Sequence, residues 1–175
     1  ADAIRQPVTT GIIGAVATVR GSAVDFVTRH RCERWGITDT MALSVAESNT
    51  RDLDEMRVEV VFVDGSETYV IESDLPIAAT ALAWIEDIVE PPLPLGALAL
   101  VASPHLVVVQ PSRSRSSAAV DMLLDFVRNE AKSETDLLSP SMLLHTEDGM
   151  ELIGDLGTAA GRLGMTAAAR RLTGV

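Results

Sequence analysis

Three times along this chain, two short runs rich in β-branched residues are followed by one amphipathic helical segment, at a spacing of roughly 40 residues. Strand-like runs with alternating sides and helices with one apolar stripe each need that face covered, so their order limits the folds available. The first unit sets Ile12 to Val19 beside Ala23 to Thr28 and leads into a helix after Thr38. The second sets Arg57 to Val63 beside Thr68 to Ile71 ahead of a helix from Leu75 to Val89. In the third, Ala97 to Ala102 and Leu106 to Gln110 precede a helix from Ala118 to Ala131. The order predicts an α+β fold, a two-layer sandwich whose mostly antiparallel sheet is built from three successive β-β-α units with helices on one face.

Local signals sharpen the elements. Gly11 to Arg20 mixes small and β-branched residues without a helical period, which predicts one largely buried strand closed by a turn at Arg20-Gly21-Ser22. Gly36 can end a short helical turn over the charged run Arg29 to Arg34, and Thr38 or Asp39 can cap the helix that follows. That helix aligns Met41, Val45, Ala46, Asn49 and Leu53 as the stripe to lay on the sheet. Asp64-Gly65-Ser66 is a strong hairpin signal. Ser73 or Asp74 opens the second helix, whose Ile77, Ala81, Trp84, Ile85 and Ile88 share a face until Pro91 and Pro92 stop it. The third is opened by Ser116 or Ser117 and buries Val120, Leu123, Leu124 and Val127. Val58, Val60 and Phe62 alternate with Glu59, Val61 and Val63, so one sheet face is apolar and is expected under the helices. Beyond Gly149, Leu152, Leu156, Ala159, Ala160 and Leu163 form a helical stripe weakened by several glycines. These signals predict one domain over 1–152 and a Gly/Ala-rich helical extension over 153–175.

A chain of 175 residues can bury a core without metal or disulfide staples, and the lone Cys32 fits a reducing cytoplasm. A net charge of −11 repels the phosphate backbone, and the few aromatic residues are scattered, so nucleic-acid binding is disfavoured. The longest apolar stretch, Leu93 to Val109, is interrupted by Pro94, Gly96, Ser103, Pro104 and His105 and does not read as a membrane span. The opening residues do not read as a secretory leader, and a start at Ala1 rather than Met fits a processed or shortened chain.

Phe26-Val27-Thr28, Trp35-Gly36-Ile37 and the helix through Asn49, then Pro104-His105, Leu138-Ser139-Pro140 and Asp148-Gly149, follow one another in an order that resembles the YtpQ-like bacterial proteins of unknown function. The likeness runs over roughly residues 11–152. It departs after Pro104-His105, where Leu106-Val107 stands in place of that family's Arg-Asp, and at Thr50, which follows Asn49 in place of Leu. The resemblance implies an α+β fold and a cytoplasmic bacterial protein; it implies no reaction and no catalytic residue.

Catalytic signatures are missing from the sequence. No Gly-x-Ser-x-Gly elbow, P-loop, dinucleotide fingerprint or calcium-binding loop occurs, and three dispersed histidines do not suggest zinc. No cofactor or metal is expected. His105, Ser139 and His145 could form a small hydrolase site only if the fold gathers them within hydrogen-bond reach. The carboxylates Asp52, Asp54 and Glu55, and Glu86, Asp87 and Glu90, read as solvated helix ends. Two basic spots, Arg29, His30, Arg31 and Arg34, and then Arg113 with Arg115, are candidates for holding an anion or acidic partner, and His105 is added as a candidate binding residue. The leading expectation is a non-enzymatic protein-binding or adaptor domain that uses a strand edge or the C-terminal stripe, including self-association through that stripe. A small hydrolase and an anion-responsive regulatory domain are the alternatives.

Overall fold

The computed structural model describes residues 2–9, 12–21, 23–52, 55–63, 65–89, 96–112, 123, 125 and 141–155. Helix and strand are mixed and the pairing is antiparallel. The chain divides into two compact units, Ala1–Glu55 and Met56–Val175. The expectation of one domain to residue 152 does not mark that division.

In the first unit, β1 (Arg5–Thr9) pairs with β2 (Ile12–Ala15), and β3 (Ala17–Arg20) pairs with β4 (Ala23–Phe26). The single strand expected over 12–19 therefore splits at Val16. The cause is a closed ring of backbone hydrogen bonds. Ile4 N–H donates to Val27 C=O at 2.9 Å, Val27 N–H to Val16 C=O at 2.9 Å, and Val16 N–H to Ile4 C=O at 3.0 Å. At Val16 the chain exchanges β1 for β4 as its partner while its backbone groups stay satisfied. All three ring residues are buried with Cys32, a free thiol, and Ala42.

Two helices follow. Thr28 caps α1 (Arg29–Trp35), and Gly36 closes it at φ 68°, a left-handed value that costs glycine no Cβ clash. Gly36 N–H donates to Glu33 C=O and Ile37 N–H to Cys32 C=O, each at 3.1 Å, the paired closure of a Schellman end. The Thr38 hydroxyl accepts Met41 N–H at 3.1 Å to cap α2 (Asp39–Arg51). Ala42, Leu43 and Ala46 pack on the core, so the buried stripe is rotated from the expected one. Met41 and Val45 are 52% and 55% exposed, Asn49 is also exposed, and Leu53 lies outside the described residues. Small Ala42 and Ala46 let the helix approach closely where Met and Val would hold it off.

The second unit holds a six-stranded sheet ordered β10-β9-β7-β8-β6-β5. Its strands are β5 (Met56–Val63), β6 (Ser66–Ser73), β7 (Ala97–Ser103), β8 (Leu106–Pro111), β9 (Ser141–Thr146) and β10 (Gly149–Asp155). The β5–β6 and β7–β8 hairpins stand where the alternating runs place them. The β9–β10 hairpin corrects the expectation of a helical stripe from Leu152, because residues 149–155 take β9 as a ladder partner. Residues 156–175, with the rest of that stripe, lie outside the described residues.

Between β6 and β7 the expected helix over 75–89 is realised as a 3-10 helix, Ala78–Trp84, and one turn of α3 (Ile85–Ile88). Leu75 N–H donates to Ser73 Oγ at 3.1 Å, and Ala78 N–H goes to Pro104 C=O at 2.9 Å rather than into a helical ladder. Of the expected stripe, Ile77, Ala81, Trp84 and Ile85 are buried and Ile88 is half-buried.

Every residue of β7 and β8 is buried, so both sheet faces are covered rather than one. On one face Leu98, Leu100, Val108, Met142, Leu144 and Ile153 cluster with Leu123, a helical residue. Most of the third expected helix lies outside the described residues; Leu123 and Asp125 are helical. The 3-10 helix packs on β6, β7 and β8, and its continuation α3 brings Glu86 to His145, which by strand register shares a face with Ala97, Ala99 and Val109.

Candidate functional site

The first basic spot sits on α1 and is largely neutralised by nearby carboxylates. Arg29 directs Nε and Nη2 to Asp39 Oδ2 at 3.1 and 2.9 Å, with Asp2 at 4.0 Å. The hydrogen bond to Asp39, and then its negative charge, push the Arg29 pKa above its ordinary value, so the cation is held at every working pH. Arg31 Nη1 meets Asp25 Oδ2 at 2.6 Å, and its guanidinium lies 5.0 Å from the Trp35 ring centroid. Arg34 is exposed in the last turn of α1, where a cation complements the helix dipole. His30 pairs with Glu33 at 3.7 Å. An anion drawn to Arg29 or Arg31 has to displace Asp39 or Asp25. Arg113 and Arg115 lie outside the described residues.

His105 is a structural clamp. Its Nδ1 lies 3.0 Å from Ser73 C=O, so that nitrogen carries the donated proton, and its own C=O accepts Ser73 N–H at 3.0 Å. Its backbone N–H donates to Ser103 Oγ at 3.1 Å. The β7–β8 turn is thereby tied to the end of β6. His145 is opposite Ala97 at the other end of β7. Six residue steps at about 3.3 Å each put the two ends of β7 about 20 Å apart. His105 and His145 are therefore not brought within hydrogen-bond reach of each other, and Ser139 lies outside the described residues. His145 Nε2 has Glu86 Oε1 at 3.9 Å. Among the described residues no group of three or more His, Cys, Asp or Glu is placed to hold a metal ion, and no helix is long and apolar enough to cross a membrane.

Among the described residues β5 is an edge strand of the large sheet. It pairs with β6 over eight consecutive residues without a register shift, from Met56↔Ser73 to Val63↔Ser66. The opposite edge, β10, is interrupted by a bulge between Leu152 and Gly154. A loop of two residues makes its flanking pair, Val63↔Ser66, a hydrogen-bonded pair, and the antiparallel ladder then alternates. Val58, Val60 and Phe62 consequently aim N–H and C=O away from β6. Their side chains share the face of Ile71 and Tyr69, and Val58 and Val60 are each 47% exposed and Phe62 is 71% exposed. The opposite face of β5 carries Arg57, bound to Asp74 at 2.9 Å, and exposed Glu59.

No β5 residue stood among the sequence candidates, because Val58, Val60 and Phe62 read as a face for helices to cover. The available signal was the run Val60-Val61-Phe62-Val63, apolar on both sides of the strand, ending at a turn with no Pro or Lys to protect an edge. Compared with family models, curated proteins and solved structures, the chain matches none.

Proposed function

We propose that the chain is a protein-binding module that takes an extended segment of another protein onto the outer edge of β5, by strand addition. One observation carries the reading: along a bulge-free edge, the same residues direct backbone groups away from β6 to no partner among the described residues and carry exposed apolar side chains. Strand addition uses that combination, with main-chain hydrogen bonds supplying affinity and alternate side chains supplying specificity. Edges not meant for pairing are protected by Pro, Lys, bulges or an overlying element. Burying the exposed parts of Val58, Val60 and Phe62 adds a hydrophobic gain of about 25 cal/mol per Å² covered.

Val60→Pro tests the reading cleanly. Its N–H points away from β6, so proline removes a bond offered to a partner and none of the β5–β6 ladder, and edge positions tolerate it. Fluorescence anisotropy with short labelled peptides of alternating Val and Ser, matched to β5 in length, measures binding. The expected result is saturable binding to the unaltered chain and loss of at least about tenfold in affinity for Val60→Pro, with the far-ultraviolet circular dichroism spectrum unchanged. Equal binding by the two proteins sinks the reading.

A further inference from the structure

The charges around β5 say what kind of segment the edge accepts. From Met56 to Asp74 the chain carries Glu59, Asp64, Glu67, Glu72 and Asp74 against a single cation, Arg57. That cation is occupied by Asp74. Glu59 is exposed on β5 itself, faces Val70 across the ladder, and has no cation partner among the described residues. It stands on the face of the strand opposite to Val58, Val60 and Phe62.

We infer that the segment received by β5 is a basic, alternating strand, with apolar residues on the side of Val58, Val60 and Phe62 and Lys or Arg on the side of Glu59. The inference rests on the strand-addition reading and adds the chemistry of the partner. An incoming strand keeps the pleat of the sheet, so residues opposite Val58, Val60 and Phe62 fall on one face and the residue opposite Glu59 falls on the other. Apolar side chains cover the exposed face, and one Lys or Arg reaches the unpaired carboxylate. A second copy of this chain fits worse, because it sets the same excess of carboxylate against itself, and like charges directly opposed in a sheet are unfavourable. The chain's net charge of −11 adds a long-range attraction for a basic segment that salt screens.

The test uses the full chain and three labelled peptides of one length, in which Val alternates with Lys, Ser or Glu. The expected order of affinity is Lys over Ser over Glu, with about fivefold between the first two, the size of one favourable cross-strand charge pair. Glu59→Gln narrows the preference for the Lys peptide over the Ser peptide and Glu59→Lys narrows it further; a preference unchanged in both variants overturns the inference. Added salt weakens the Lys peptide selectively. If all three peptides bind alike and Val60→Pro abolishes them all, the charge inference is overturned while strand addition stands. Failure of every peptide to bind overturns both. A dimer in sedimentation that Val60→Pro splits names a second copy as the occupant and overturns the inference.

Discussion

Gln110 lies in β8 with 2% of its surface exposed, and its Nε2 donates to Thr68 Oγ1 at 3.2 Å. Its Oε1 is buried with no partner among the described residues. Turning the amide over leaves the nitrogen orphaned instead, so the pair supplies one hydrogen bond and one unmet group. An unmet buried polar atom costs about 1–3 kcal/mol, whereas replacing both partners by apolar groups of similar shape is neutral or favourable. Thr68→Val with Gln110→Leu is therefore expected to raise the urea midpoint by the equivalent of about 1 kcal/mol. Gln110→Leu alone gains less, because it strands the Thr68 hydroxyl. A double variant less stable than the single one contradicts this account. Cys32 shows the same scale from the other side: the sequence displays a lone thiol, and only the ring of Ile4, Val16 and Val27 explains why it is enclosed.

Among the elements, the start of β7 is the tightest place. Gly96 adopts φ +80°, and a Cβ there would run into the C=O of His145 on β9. Gly36 also has positive φ but faces open space. Left-handed backbone costs a residue with a side chain about 1–2 kcal/mol, and forced overpacking adds about 1–3 kcal/mol. Gly96→Ala is expected to lose about 2–5 kcal/mol and Gly36→Ala only the first part, as compared by urea unfolding. Equal losses would show that β9 yields at no cost. Element by element, strand pairs joined by short turns were legible: Val63 to Ser66 and Ser103 to Leu106 announce themselves through Asp64-Gly65 and Pro104-His105. The break at Val16 was not, since only the distant partners Ile4 and Val27 create it. The face of α2 was misread because periodicity ranked Met41 and Val45 above Ala42, while close packing rewards the smaller side chain. The β9–β10 hairpin escaped notice because Leu152 and the glycines near it suit a weak helix until β9 offers a ladder. For the site, the arginines drew attention by charge, yet Arg29 and Arg31 are paired with Asp39 and Asp25; β5 drew none, because the sequence of an apolar face does not show whether another element covers it.

At the scale of the whole chain, net charge is the largest influence that individual contacts do not display. Asp and Glu number 25 against 14 Lys and Arg. Ion pairs such as Arg29–Asp39, Arg51–Glu47 and Arg57–Asp74 are exposed, and such pairs contribute about 0–1 kcal/mol each. Self-repulsion of the surplus carboxylates acts on the compact state as a whole and opposes folding. Raising ionic strength from about 0.01 M to about 0.15 M shortens the Debye length from about 30 to about 8 Å, which screens this repulsion more than it weakens pairs in direct contact. The thermal midpoint is therefore expected to rise over that range. Binding of a basic segment at β5 runs the other way, because there the long-range force is attractive. The two salt dependences separate what a single binding curve confounds: a peptide signal that weakens while the melting temperature climbs reports lost attraction rather than lost fold. A midpoint that falls with salt would mean that the exposed pairs outweigh the net charge, and would leave the carboxylate of Glu59 as the remaining electrostatic ground for preferring a basic partner over a neutral one.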